Sequence, residues 1–175
     1  MRNNYEVHAD VVVAEVQRRS GVVLYFLIDA DKLESLPPDG MFYINNKNYV
    51  MLPRYVNGRV KNPALLHRLI MNAPDDLIVD HIFADRLDNR QSQLRLATRS
   101  QNGFNRQGIG GVYPHNRTNP WVAKLRFDGC VRTLGYFKKF SAAADAVCTK
   151  LRCIDPIAAD NRYAAFLNDP RYTLS

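Results

Sequence analysis

The chain has 175 residues, 24 Lys and Arg against 17 Asp and Glu, and a formal net charge of +7. An apolar fraction of 46% with 23% charged residues is ordinary globular composition, which excludes wholesale disorder and fibrous architectures and leaves room for one or two small domains. The longest apolar run, Val22 to Ile28, is far below the roughly 20 residues of a membrane-spanning helix, no signal-like core opens the chain, and the three cysteines lack CxxC spacing, so a reducing cytoplasm without a membrane partner is expected.

In chain order, Glu6 to Val16, Gly21 to Ile28 and Met41 to Leu52 are β-prone runs separated by Arg18-Arg19-Ser20 and Pro37-Pro38-Asp39-Gly40, which predicts a small antiparallel sheet over residues 1–61. Asn62 and Pro63 then read as the cap and first position of a helix whose apolar stripe is Leu65, Leu66, Leu69 and Ile70, with His67 on its polar side. Leu77-Ile78-Val79 is a short strand, and Leu94-Arg95-Leu96 pairs back on it across the polar loop Asp85 to Gln91. Thr98 and Gln101 have capping-box spacing for a following helix.

Gly108-Ile109-Gly110-Gly111 reads as a hinge, and beyond it lie strands at Val112 to His115, Trp121 to Phe127 and Val131 to Tyr136. Ser141 is expected to cap an alanine-rich helix over Ala142 to Leu151. Alternation puts Trp121, Ala123, Leu125 and Phe127 against that helix and leaves Val122, Lys124 and Arg126 on the other face. The tail 155–175 carries Tyr163, Phe166, Leu167 and Tyr172, enough to pack back on one of the domains.

Charge is not spread evenly. Residues 1–79 balance at nine of each sign, whereas residues 107–154 carry eight basic and two acidic side chains. A concentrated positive segment fits a polyanion, because each Lys or Arg that meets a phosphate releases condensed counterions; the plain alternative is a solvated face.

One constellation carries chemistry. A strand ending in Asp80-His81, a polar loop, a return strand and a capped helix bearing Asn102 allow the strand end and the first helical turn to approach. Asp80 offers a hard carboxylate oxygen and Asn102 an amide oxygen, a pair suited to Mg²⁺, or to Mn²⁺, which fills its other positions with water and phosphate oxygens. His81 points a different way from its neighbour and is the candidate general base for an attacking water. Asp85 and Asp88 read as loop carboxylates bonding local backbone, Cys148 and Trp121 as core.

Val79-Asp80-His81-Ile82, Arg86-Leu87-Asp88-Asn89-Arg90 and Leu94-Arg95-Leu96-Ala97-Thr98-Arg99-Ser100-Gln101-Asn102, with Leu66-His67-Arg68-Leu69-Ile70 before them, resemble the HNH endonuclease motif of phage and mobile-element homing nucleases. The resemblance implies His81 as general base, Asp80 and Asn102 as metal ligands, and, at the position of the family's middle Asn, Gln93 as the amide that keeps the His oriented. Where the family commonly continues Ile-Asp-Gly, this chain has Ile82-Phe83-Ala84. Arg95, Arg99 and Arg106 lie where they can position DNA.

Gly110-Gly111-Val112-Tyr113, Trp121-Val122-Ala123-Lys124-Leu125-Arg126 and Leu134-Gly135-Tyr136-Phe137, followed by Ser141-Ala142-Ala143-Ala144, resemble the APETALA2-type DNA-binding domain. That resemblance implies a sheet face in the major groove, with Tyr113, His115, Lys124 and Arg126 as base-reading candidates and Arg117 and Arg132 on phosphates.

The expectation is therefore an α+β protein in four segments: an N-terminal antiparallel sheet over 1–61, a ββα-metal module over 62–106, a three-stranded sheet packed on one helix over 107–154, and the tail. Its expected activity is metal-dependent hydrolysis of double-stranded DNA, by a monomer or homodimer, in a bacterial host's nucleoid. The alternatives are a sequence-specific DNA-binding protein on an inactive HNH scaffold, which Phe83, Ala84 and Gln93 motivate, and an RNA-binding module, which rests on charge alone.

Overall fold

The computed structural model describes residues 1–57, 59–105 and 110–173, the last without its side chain. It is a mixed α+β structure of small antiparallel sheets and short helices, in two compact units, 1–98 and 99–175. Of the expected hinge Gly108-Ile109-Gly110-Gly111, the first two residues lie outside the described residues.

The first unit opens with β1 (Tyr5–His8), β2 (Val11–Gln17) and β3 (Val23–Asp29), a meander in that order. The predicted single run Glu6 to Val16 is broken because Ala9 adopts a left-handed φ of 53° and turns the chain ahead of Asp10. The predicted run Met41 to Leu52 is likewise two strands, β4 (Tyr43–Ile44) and β5 (Val50–Leu52). Asn45 makes that turn, its Oδ1 accepting from the backbone of Lys47 at 2.9 Å and Tyr49 at 3.0 Å. A two-stranded ribbon, β6 (Tyr55–Val56) and β7 (Arg59–Val60), follows.

The helix expected at Asn62-Pro63 starts later. Asn62 sits at φ 47°, and Ala64–Leu65 form β8, paired with Leu52 and Met51 of β5. Proline disfavours the helical conformation in the residue before it, and Asn tolerates the left-handed one, so the dipeptide turns the chain into a strand instead. Helix α1 is only Leu66–Ile70. Arg68 holds its far end by donating to the carbonyls of Leu77 and Pro74, both at 2.8 Å, where the chain enters β9 (Ile78–His81). Strand β10 (Leu94–Ala97) closes the predicted hairpin, in a register of Leu94 on His81 and Arg95 on Asp80.

This unit's core runs from Val12, Phe26, Ile28 and Phe42 to Val50 and Leu66, and takes in Val79 and Leu94 of the hairpin. The loop between β9 and β10 is fixed to β3 by backbone bonds from Leu27 N to Leu87 O, 2.9 Å, and from Asn89 N to Leu27 O, 2.8 Å. The loop thereby pairs with β3 as a strand edge would.

In the second unit, α2 (Arg99–Phe104) begins one residue after the predicted Thr98 cap. Strands β11 (Val112–Pro114), β12 (Trp121–Phe127) and β13 (Cys130–Phe137) form the predicted three-stranded sheet. Helix α3 (Phe140–Arg152) packs on it through Ala143, Ala144, Val147 and Leu151, against Ala123 and Leu125. It starts at Phe140, so Ser141 lies inside the helix, and its N-cap position is Lys139 with no side-chain cap bond. Burial of the Phe140 ring against Trp121, centroids 5.0 Å apart, draws the first turn back by that residue.

The tail is helical: α4 (Pro156–Leu167) and α5 (Pro170–Thr173). Phe166 of α4 is fully buried beside Phe140, so the tail completes the core of the second unit. Helix α2 is tied to α4 by Asn161 Nδ2 donating to Asn105 Oδ1 at 2.8 Å and by Arg162 donating to Phe104 O at 2.9 Å.

Candidate active site

The end of β9 carries Asp80 and His81, both buried, at 8% and 5% exposure. Strand alternation turns them to opposite sides. Asp80 faces Arg95 across the ladder, and Arg95 donates to its Oδ2 from Nε at 3.1 Å and from a terminal nitrogen at 3.0 Å. His81 turns into an aromatic group: its ring centroid lies 5.0 Å from that of His67, edge-on, and 6.1 Å from that of Tyr49.

His67 corrects the sequence reading. It was expected on the polar side of its helix but is 4% exposed, because its ring packs against those of His81 and Tyr49, while Leu69 of the expected apolar stripe is the exposed residue. Burial, helped by the charges of His81 and Arg68, drops its pKa to about 3, so it is a neutral imidazole at pH 7. Its Nδ1 is buried with no hydrogen-bond partner among the described residues. Burial also lowers the pKa of His81 below its ordinary value; the Asn89 side chain and the Asp80 and Asp85 carboxylates act against that, while Arg86 adds to it.

Asn89, fully buried in the inter-strand loop, is a residue that sequence reasoning passed over. Its amide donates to the carbonyls of Leu87 at 3.0 Å and Arg86 at 3.4 Å, and its side chain lies beside His81, whose pKa it acts to raise. Gln93 contributes through its backbone, whose carbonyl accepts from Ile82 N at 2.9 Å, while its side-chain amide points to Ser92 Oγ at 3.5 Å. The adjacent Asp88-Asn89 pair offered a signal, since a polar pair inside a loop between paired strands has to satisfy buried backbone groups. Asp85 and Asp88 do accept local backbone bonds, from Leu87 N at 3.0 Å and Arg90 N at 3.3 Å.

Asn102 lies half-buried in α2, and so in the second unit. Arg99, exposed, belongs to the same helix; Arg106 lies outside the described residues. Among the described residues no three His, Cys, Asp or Glu side chains are grouped closely enough to hold a metal; the expected donor set is one carboxylate and one amide. Hard oxygens of that kind fit Mg²⁺ or Mn²⁺, and the guanidinium on Asp80 shows that the carboxylate's surroundings accommodate a cation.

In the second unit, pairing of Tyr113 and Tyr136 with Val122 puts all three on the sheet face away from α3, together with Lys124 and Arg126. His115 joins them, its ring 4.6 Å from that of Tyr136. Arg132 pairs with Leu125 and therefore lies on the α3 side, over the Phe127 ring at 5.1 Å; Arg117 is exposed in the turn between β11 and β12. An open cleft of about 790 Å³ is lined by Arg99, Tyr113, Lys124, Arg126 and Arg162 among others. Cys148 is core, with burial pushing its thiol up to about 11. Among the described residues no helix is long and apolar enough to cross a membrane.

Residues 64–104 match the family model of the HNH endonucleases. An uncharacterized HNH endonuclease of Acanthamoeba polyphaga mimivirus is 36% identical over 67 residues, which cover 37% of this chain and 35% of that protein. The chain thus spans about a third of the length of the curated relative it matches. No solved structure matches it. The matched stretch contains α1, β9, the loop fixed by Asn89, β10 and α2, with the buried Asp80-His81 pair at its centre, and over that stretch the chain is similar to the HNH endonucleases.

Proposed function

We propose that the protein is a metal-dependent endonuclease that hydrolyses phosphodiester bonds in duplex DNA. The observation that carries the reading is His81, a buried imidazole with lowered pKa at the end of β9, inside the stretch that matches HNH endonucleases. A base must be neutral to accept a proton, and a lowered pKa keeps the neutral form dominant at pH 7. His81 takes the proton from the attacking water. Asn89 and the rings of His67 and Tyr49 hold the imidazole in orientation, and Gln93 secures the hairpin beside it through its backbone.

Asp80, with the Asn102 amide, would hold Mg²⁺ or Mn²⁺, as their place in the HNH motif implies. When bound, such an ion neutralises charge on the scissile phosphate and the leaving oxygen. The second unit serves as the DNA-reading part, similar to an APETALA2-type domain. Tyr113, His115, Lys124 and Arg126 share one sheet face, and Arg99, Lys124 and Arg126 line a basic cleft suited to phosphates. Arg106, Arg117 and Arg132 add backbone contacts in this reading.

The test is cleavage of supercoiled plasmid with Mg²⁺ or Mn²⁺, with and without chelator. The native chain is expected to give nicked or linear product only with metal, nicked for a monomer and linear for a homodimer. His81→Ala is expected to lose about 10²- to 10⁴-fold in rate while still binding DNA. Binding without any metal-dependent cleavage would favour the inactive-scaffold reading, and preference for RNA in competition would overturn the choice of DNA.

A further inference from the structure

The cation closest to the predicted metal ligand is one the chain itself provides. Asp80 and Arg95 are direct cross-strand partners in the β9–β10 hairpin, joined by two donations to a single oxygen, Oδ2, at 3.1 and 3.0 Å. Their side chains are 10% and 13% exposed, so the pair is largely shielded from water. Removing one partner of a buried ion pair is strongly destabilising, and exchange of one cation for another is the low-cost way for Asp80 to change partner. Arginine suits that task because it is always charged and its planar fork fixes the carboxylate's orientation. The ladder register keeps the two residues opposite each other whatever the solvent contains.

We propose that Arg95 is the internal counter-cation of Asp80: it holds and orients the carboxylate in the metal-free chain, and cedes Oδ2 when a divalent cation binds. The proposal deepens the endonuclease reading and rests on Asp80 being a metal ligand. It makes Arg95 a positioning residue that competes with the metal, so the chain's apparent metal affinity is reduced by the fraction of molecules in which Arg95 holds the carboxylate. The displaced guanidinium then has the chemistry for a phosphate oxygen of the bound DNA. Metal and DNA would accordingly favour each other's binding, to the same extent in both directions.

The experiment is a Mn²⁺ titration of the full chain without DNA, followed by the electron paramagnetic resonance signal of free Mn²⁺, on the native protein, Arg95→Met, Arg95→Lys and Asp80→Asn. Arg95→Met is expected to bind Mn²⁺ at least fivefold more tightly than the native chain and to gain more in Tm from saturating Mn²⁺. Arg95→Lys, which keeps the charge and loses the fork, is expected to lie between them. Asp80→Asn is expected to lose the site.

Mn²⁺ affinity in a folded Arg95→Met equal to or weaker than native overturns the counter-cation role. If Asp80→Asn nevertheless loses Mn²⁺, the metal-ligand reading survives that failure; if Asp80→Asn binds as the native chain does, the metal-ligand reading itself is wrong. Should Arg95→Met fail to fold, Arg95→Lys decides on the same scale, with tighter binding than native supporting the proposal and equal or weaker binding overturning it.

Discussion

His67 shows how much a single side chain depends on its surroundings. Its folded pKa of about 3 lies below the 6.5 of an exposed imidazole, so between those values the unfolded chain binds the extra proton. Stability is therefore full above about pH 6.5 and falls as pH drops towards 3. From this group alone the loss from pH 7 to pH 5 is about 2 kcal/mol. His81, shifted in the same direction, adds to it. Urea denaturation at the two pH values should show His67→Phe losing less stability on acidification than the native chain. An equal loss would mean that His67 is not buried neutral. Asn89 is the other residue to test at this scale. Asn89→Ala removes the buried amide that donates to the loop carbonyls of Leu87 and Arg86 beside His81, and is expected to lower cleavage at least tenfold with DNA affinity unchanged.

At the level of elements, the second unit is held by two local devices. Gly111 has φ +111°, and a Cβ there would lie 2.9 Å from Val147 Cγ1 in α3, so β11 reaches the helix only because this position lacks a side chain. Gly111→Ala is expected to destabilise the unit by about 1–3 kcal/mol in chemical denaturation, from backbone strain together with the collision. Helix α4 is capped by Asp155, whose carboxylate accepts from Ala158 N at 3.1 Å, with Pro156 in the first turn. Asp155→Ala should cost about 1–2 kcal/mol and Asp155→Asn much less, since Asn caps almost as well.

Across the whole molecule, charge divides as the contacts do. Residues 1–98 carry twelve basic and twelve acidic side chains, and residues 99–175 carry twelve basic against five acidic, so the entire surplus of +7 belongs to the second unit. If that unit carries the DNA, affinity must fall steeply with salt, and Lys124→Ala or Arg126→Ala should each flatten the slope of log K against log salt by about 1. The same substitutions should change plasmid cleavage through KM. A slope unaffected by either would move the phosphate contacts away from the cleft they line.

The sequence alone determined whatever depends on local chemistry and short-range periodicity. The β9–β10 hairpin with Asp80-His81 at its turn end, the β11–β12–β13 sheet and the alanine-rich helix against Ala123 and Leu125 all stand where alternation and spacing put them. Left-handed turns at Ala9 and Asn62 were not legible, because a run of β-prone residues carries no mark of where a long-range partner will stop it. Only tertiary structure decided the site's surroundings. His67 is buried beside His81 because a five-residue helix is wedged among its neighbours. Asn89 and Arg95 act on the two motif residues through a loop and a strand register, and the tail's Phe166 chooses the second unit's core. Such contacts join residues far apart in the chain, and their energy comes from burial and pairing that exist only once both partners are in place.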